Sequence, residues 1–550
     1  MIGAERLCRA LESLGVEVVF SLPGTQNVAL FEALRKSRLR TIVATHELSA
    51  SFMAIGYALA SGRPGVLLTI PGPGFTYSLT GLAEALLDSV PLVSIVGKPA
   101  EGPGRRFQFQ SLDQRAIATP LVKRIFDLES SGSIEATLEE AFAVSQAGEP
   151  GPVLVQVPAN LLSDEVPASP LSPSQARLSS PPPVEEIAHR LEKAQRIVLY
   201  VGQGANGAAA ELEQLAELLQ APFVTTTSAR GVVPESNPWA LCVDRGNISA
   251  LNDLLESADL ILALGCKFSH NGAHGFRLRL APDRLVHVDA SESVLGANYD
   301  ASFTLAADVP SVIRALLACP ASLKRTAGSG FSEEEAGRWR RRITEVAPQA
   351  GTTIRGARPS SIEGFFAALR SAMPAESCLI LDSGRHQLMA RRHFRVLRPR
   401  GLVLPADLQS MGFALPAAVG AKLAREERTV VAILGDGGFA MSGLELLTAV
   451  RERIPLTVIV FNDGVYGAIS RQQLAAYGRL HGTELKNPDF QQFAESVGAR
   501  YMLLRNDIES SLAGVVRSGG VCLVEAVVHE SVSLRTRLRT LRDALVSRVS

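Results

Sequence analysis

TVVAILGDGGFAMSGLELLTAVRERIPLTVIVFNDGVYG, residues Thr429 to Gly467, contains a complete strand–helix–strand pattern. An apolar run, Val430 to Leu434, ends at Gly435-Asp436-Gly437. A helical pattern follows, and a second apolar run, Leu456 to Phe461, ends at Asn462-Asp463. Both strands therefore deliver carboxylate-bearing turns to one sheet edge, where open α/β sheets bind ligands. Mg²⁺ takes oxygen ligands and bridges one or two carboxylates to phosphates, and Asp436 and Asp463 can supply those carboxylates. Gly435, Gly437 and Gly438 allow the backbone to approach phosphate closely. The helix expected to begin near Phe439 offers free N–H groups and a positive dipole end. An isolated Asp-Gly is ordinary turn chemistry. The second strand-end pair, Asn462-Asp463, shifts the reading toward a metal–phosphate edge.

Working outward, 550 residues exceed one ordinary core, so several domains are expected. With 46% hydrophobic and 20% charged residues, the chain is of the soluble globular type. Lys+Arg and Asp+Glu both number 55, so no bulk field attracts nucleic acid or an anionic membrane. The six cysteines are scattered without a CxxC pair, which indicates neither a disulfide framework nor a zinc site. MIGAERLCRALESLG at the N-terminus reads as an amphipathic helix rather than a signal peptide, and no apolar run reaches the ~20 residues of a membrane span. A cytoplasmic enzyme is the expectation.

Two Pro/Ser/Gly-rich stretches, roughly 163–184 and 320–360, read as linkers. They leave domains at 1–162, 185–319 and 361–550, each alternating short β-branched runs with helical patterns, as doubly wound parallel α/β sheets do. The outer two are related by an internal repeat. A shift of 364 positions carries Gly56 onto Gly420, Gly74-Phe75 onto Gly438-Phe439, Pro91-Leu92 onto Pro455-Leu456 and Ile95-Val96 onto Ile459-Val460. So large an offset implies two copies of one domain with a third inserted between them. The copies differ at the turn: Asp436 corresponds to Gly72, so the first domain lacks the metal-binding acid.

Gly-Asp-Gly, 24 intervening residues and an Asn-Asn-like pair resemble the thiamine diphosphate fingerprint. Across nearly its whole length the chain resembles the acetohydroxyacid synthase/pyruvate decarboxylase superfamily, in the order pyrimidine-binding, central and diphosphate-binding domain. The resemblance assigns the metal to Asp436, Asp463 and the Val465 carbonyl, with Asn462 and Tyr466 also at the cofactor; Asp463 departs from the commoner Asn. LILDSGRHQLMARR, residues 379–392, is similar to the loop that holds the diphosphate, placing Ser383, Gly384, Arg385 and His386 on its contacts. In DLQSMGFALPAAVGA, residues 407–421, Met411 would wedge the cofactor into its bent form, and Gln409 would contribute its backbone carbonyl.

In TIVATHELSASFMAIGYALA, residues 41–60, Glu47 opens a helix, where the dipole alone would favour a carboxylate. It also matches the family glutamate that hydrogen-bonds the pyrimidine ring nitrogen and so promotes loss of the thiazolium C2 proton. Thr25 and Gln26 in SLPGTQNVAL, Gly72 and Phe75 in TIPGPGFTYSLTGL, and Gln110 in FQFQSLDQRA resemble substrate-side positions; each is equally readable as loop or packing. The central domain holds a lone GxGxxG, Gly202 to Gly207, with no acid at the end of the following strand. LCVDRGN and LGCKFSHNG do not match flavin loops closely, so a vestigial fold is favoured and FAD is not expected.

The resemblance implies a Mg²⁺- and thiamine diphosphate-dependent decarboxylating carboligase of 2-oxo acids, acetolactate synthase-like. Simple decarboxylases of this type often carry a neighbouring His pair, whereas His46 is the sole histidine of the first domain. Arg105 or Arg106 could receive a substrate carboxylate, with surface solvation as the alternative. A non-ligating decarboxylase, a C–C lyase and a silent regulatory subunit remain open. The resemblance also implies a homodimer or homotetramer with intersubunit sites.

Overall fold

The computed structural model describes all residues except 100–107, 166–180, 242–246, 320–322, 324–328, 346–351 and 531–550. Three sheets organise the chain. The first orders its strands Arg40–Val43, Val18–Ser21, Gly65–Thr69, Leu92–Lys98, Pro152–Pro158 and Arg124–Asp127, all parallel. The middle sheet runs Phe303–Ala306, Leu285–Asp289, Leu260–Leu264, Ile197–Val201 and Phe223–Thr225, also all parallel. Most of these strands are continuous apolar runs because helices cover both faces.

The third sheet runs Leu402–Val403, Cys378–Leu381, Val430–Gly435, Leu456–Asn462 and Val521–Glu530, joined by Arg500–Leu503 in parallel and Thr352–Ile354 in antiparallel pairing. Its order repeats that of the first sheet. The strands 65–69 and 92–98 of the first correspond to 430–435 and 456–462 of the third, adjacent and central in both. The repeat seen in sequence is thus a repeat of fold.

The two copies pack directly on each other. Helix Glu47–Ser61 lies against helix Ala414–Ala424, and Phe52 meets Phe413 edge-on at 5.2 Å between ring centroids. Gly56 and Gly420 are the closest points. A Cβ on Gly56 would stand 2.1 Å from the Ala417 carbonyl oxygen, and one on Gly420 would stand 1.8 Å from that of Met53. The repeat match between these glycines therefore reflects one contact made from both sides. Residues of both domains form a single apolar core.

The stretch 320–360 contains more than a linker. Residues Glu333–Thr344 form a helix whose Ala336 and Ile343 enter the middle core, and Thr352–Ile354 joins the third sheet. Ser332 and Glu335 form a capping box at the helix start, and its acid-rich first turn is what made the segment look unstructured. Among the described residues, no helix is long and apolar enough to cross a membrane.

Candidate active site

Three strand ends of the third domain meet in one cavity of about 190 Å³. Ser383, Gly384, Arg385 and His386 follow the strand Cys378–Leu381; Gly435 to Gly438 follow the next; Asp463, Val465 and Tyr466 follow the third. Met411 completes the lining. The helix after the Gly-Asp-Gly turn begins at Asp436, three residues before the expected start near Phe439, so Asp436 itself lies in the first turn. A Cβ on Gly437 would stand 2.6 Å from the Tyr466 ring and 3.4 Å from the Met411 methyl. One on Gly438 would stand 2.3 Å from Asp382 Oδ2. The glycines are needed because these side chains come so close.

Asp436 is buried, and its oxygens accept from the Gly437 amide at 2.9 Å, the Gly464 amide at 2.8 Å and Asn487 Nδ2 at 2.7 Å. Burial raises its pKa from the ordinary carboxylate value. Asp463 is pushed up to about 6, by burial first and then by Asp436. Two acids that oppose each other's ionisation suit a divalent cation between them. The backbone offers a third oxygen. The Gly464 carbonyl accepts from the Leu485 amide and the Tyr466 carbonyl from the Ile469 and Ser470 amides. Among the described residues no hydrogen bond is made to the Val465 carbonyl between them.

Arg385 Nη1 lies 3.5 Å from Asp463 Oδ2, and burial lowers the Arg385 pKa. Arg471, one turn beyond Gly467, is also lowered, by burial and then by Arg385. This end of the cavity therefore gathers positive charge suited to a diphosphate. His386 is buried and pushed down to about 4 by that burial, so it is neutral near pH 7. Its Nε2 pairs with the Asp382 carbonyl at 3.0 Å.

Three residues of the third domain assigned to the cofactor, Phe439, Asn462 and Gln409, do not line this cavity. The Phe439 ring turns into the core against Phe490 and Phe493. Asn462 faces sideways, donating to Glu525 at 2.7 Å and accepting from Asn487 at 2.9 Å. Gln409 adopts φ +63°; its amide donates to the Pro405 and Ala406 carbonyls, and its Oε1 accepts from the Ser383 hydroxyl at 3.3 Å.

The first domain assembles a separate wall at its own sheet edge. Glu47 is the first residue of its helix, and its Oε1 lies 3.2 Å from the point where a Cβ on Gly74 would stand. Gly72, at φ +65°, lies against Gln110, whose own φ is +59°. Among the described residues the buried Gln110 Oε1 has no hydrogen-bond partner. Thr25 is exposed at the start of a short 3₁₀ turn; Gln26 is half-buried and Phe75 wholly buried. Arg105 and Arg106 lie outside the described residues. Among the described residues, every one that lines the 190 Å³ cavity belongs to the third domain.

Sequence reading missed four organising residues. Asp382, fully buried and pushed up to about 7 by that burial, accepts from the Ser383, Gly412 and Phe413 amides and so fixes the turn that carries Met411. Asn487 bridges Asp436 and Asn462. Gln114 accepts from the Gly72 amide at 3.4 Å. Glu445 holds the backbone before Glu47. Asp382 alone gave a local signal, a polar residue ending an apolar run.

In the central domain, the Gly202–Gly207 loop borders a cavity of about 400 Å³ between the three domains, also lined by Asp289 from a later strand. Much of LCVDRGN lies outside the described residues, at 242–246. The LGCKFSHNG loop tethers the neighbouring domains. Lys267 pairs with Glu149 at 2.5 Å, Ser269 bonds Asp407 at 2.7 Å, and Asn271 bonds the Ala406 carbonyl at 2.6 Å.

Two strand-end acids, a backbone carbonyl without a hydrogen bond among the described residues and clustered arginines stand on one copy of a repeated domain, and a helix-opening glutamate stands on the other. The thiamine pyrophosphate enzyme N-terminal TPP binding domain matches residues 1–117, the central domain 184–316 and the C-terminal TPP binding domain 382–526. The acetolactate synthase of Mycobacterium bovis is 33% identical, over 94% of this chain and 85% of that one. The probable acetolactate synthase large subunit of Methanocaldococcus jannaschii is 29% identical, over 97% and 93%. The acetolactate synthase isozyme 1 large subunit of Escherichia coli is 29% identical, over 95% and 93%. The chain belongs to the thiamine pyrophosphate enzyme family and is a thiamine pyrophosphate-dependent enzyme.

Proposed function

We propose that this protein is a Mg²⁺-dependent, decarboxylating carboligase of 2-oxo acids, acting as acetolactate synthases do and assembled at least as a dimer. One observation supports it above the others: among the described residues the cavity bearing Asp436 and Asp463 is lined by the third domain alone, and Glu47 opens a helix of the first. A second copy would supply the missing wall. Asp436, Asp463 and the Val465 carbonyl would hold the cation. Ser383, Gly384, Arg385 and the turn Gly435–Gly438 would hold the diphosphate, and Met411 and Tyr466, which line the same cavity, would contact the rest of the cofactor. Bound thiamine diphosphate supplies a nucleophilic carbon and an electron sink for decarboxylation.

The chain's own groups do the rest. Glu47 would hold the proton it shares with the pyrimidine nitrogen. Gln110, whose buried Oε1 has no hydrogen-bond partner among the described residues, and Thr25 would face the substrate side. FAD has no part in this reading, and the 400 Å³ cavity is assigned no cofactor.

A panel of 2-oxo acids, scored by CO₂ release and product mass, tests the reading. Pyruvate should give acetolactate; acetaldehyde would identify a simple decarboxylase. Calorimetry should show thiamine diphosphate binding that requires Mg²⁺, and its absence would point to a silent subunit. Glu47→Gln should bind cofactor within about threefold of wild type yet lose C2-proton exchange by about 100-fold or more, the usual scale of general acid–base catalysis. Near-normal exchange would remove Glu47 from the chemistry.

A further inference from the structure

The two turns assigned to the cofactor are register equivalents. The 364-residue shift carries Glu47 onto Met411 and Thr45 onto Gln409. Each turn is held by buried acid from the opposite domain of the same chain.

Glu445, on the helix Glu445–Arg451 of the third domain, is fully buried. Its Oε1 accepts from the Thr45 amide at 3.1 Å and the Thr45 hydroxyl at 2.5 Å, while Oε2 accepts from Thr448 at 2.7 Å. Arg451, on the same helix, donates to the Val43 carbonyl. In the other direction, Glu84 lies on the first-domain helix Pro73–Leu87, and Asp88 follows it. Glu84 Oε2 accepts from the Ser410 amide at 3.0 Å; Asp88 accepts from the Ala406 amide at 2.7 Å and the Asp407 amide at 2.8 Å.

The anchoring acids are not copies of one another. The shift carries Gly81 onto Glu445 and Glu84 onto Thr448. The same task is met from different positions on equivalent helices, so it is not a leftover of the duplicated sequence. Burying a carboxylate is costly unless its oxygens are hydrogen-bonded, and charge-assisted bonds to backbone amides fix a turn more firmly than neutral ones. Glu47 opens its helix two residues after Thr45, so pinning Thr45 sets the direction in which Glu47 leaves the backbone.

We infer that Glu445 is a positioning residue for Glu47, and that Glu84 with Asp88 plays the same part for Met411. The inference rests on the roles given above to Glu47 and Met411.

Glu445→Ala and Glu445→Gln test it, because Gln keeps an oxygen acceptor for Thr45. In cofactor-free Glu445→Ala protein, deuterium uptake of the peptide spanning residues 42–50 should quicken about tenfold, the scale of a lost charge-assisted hydrogen bond, with strand 378–381 unchanged. In the loaded enzyme, C2-proton exchange should fall about tenfold while cofactor affinity stays within about threefold, and Glu445→Gln should restore both. Thr45→Val, which removes only the hydroxyl, should slow exchange in the same direction and guards against misfolding of the Ala variant. Unchanged uptake in residues 42–50, or equal loss of affinity and exchange in every variant, overturns the positioning role. Wild-type protein that binds no thiamine diphosphate overturns the parent reading instead, and the two failures are distinct because the uptake measurement needs no cofactor.

Discussion

Asp463 places a second carboxylate where the resemblance leads one to expect Asn, and so brings negative charge close to a diphosphate site. The chain answers it locally. Arg385 Nη1 lies 3.5 Å from Asp463 Oδ2, and Arg471 adds positive charge beside them. The pair can meet because Gly467 lies between: a Cβ there would stand 2.9 Å from both Arg385 Cδ and Asp463 Oδ2. In the proposed function Arg385 would therefore serve two anions, the acid and the diphosphate. Removing it should leave Asp463 uncompensated and repelling the cofactor. Arg385→Gln is expected to weaken Mg²⁺–thiamine diphosphate binding by at least about tenfold, a charge-assisted contact's worth. Asp463→Asn alone should change affinity by about threefold or less, and the double variant should recover most of the Arg385→Gln loss, a coupling of about 1 kcal/mol. Calorimetry at saturating Mg²⁺ measures all four forms. A double variant whose loss is the product of the single losses would mean that the two residues do not compensate.

At the scale of elements, the turn-and-helix units were legible where the signal is local. Apolar runs ending in Gly-Asp-Gly and Asn-Asp gave the strands and their acids, because a run buried on both faces and a glycine turn are both written in consecutive residues. The start of the helix at Asp436 was less legible, since glycines at 437 and 438 break a helical pattern. They are retained for space, as the 2.3 Å approach to Asp382 shows. The partners that brace the site were not legible at all. Asn487 lies 51 residues from Asp436, and Glu445 lies 400 from Thr45, so no local pattern joins them. Glycine substitutions separate the two causes. Gly438→Ala should cost about 2–3 kcal/mol of urea stability, because Asp382 is held by three amides and cannot withdraw. Gly464→Ala meets nothing within 4 Å and bears only the strain of φ +69°, about 1 kcal/mol. If Gly438→Ala proves no worse than Gly464→Ala, the close approach is not what retains the glycine.

For the whole molecule, the repeat explains both what the chain contains and what it lacks. Each copy forms its own sheet edge, and the copies meet through the helices bearing Gly56 and Gly420. The 364-residue offset was readable because the matched glycines and prolines stand at fixed structural contacts. The sharing of a site between two copies was implied by the resemblance alone, because it depends on how the copies dock and no local pattern writes that. Large apolar side chains stay exposed in one chain: Tyr77 at 54%, Met441 at 58% and Leu444 at 56%. The shift carries Tyr77 onto Met441, so the two copies expose an apolar group at equivalent positions. Met441 also borders the site, since a Cβ on Gly412, next to Met411, would stand 3.0 Å from Met441 Cβ. Exposed apolar groups of this size, placed beside a half-built site, suit a second copy of the chain. Met441→Asp with Leu444→Asp should therefore yield a folded monomer by sedimentation velocity and circular dichroism, with wild type at least dimeric. Its Mg²⁺-dependent affinity for thiamine diphosphate should fall about 100-fold, as loss of central apolar anchors does to an interface, because the monomer retains Asp436 and Asp463 but lacks a facing Glu47. A monomer that binds cofactor and turns over pyruvate at the wild-type rate would place both walls of the site in one chain. A variant that keeps the wild-type mass would put the interface on another face.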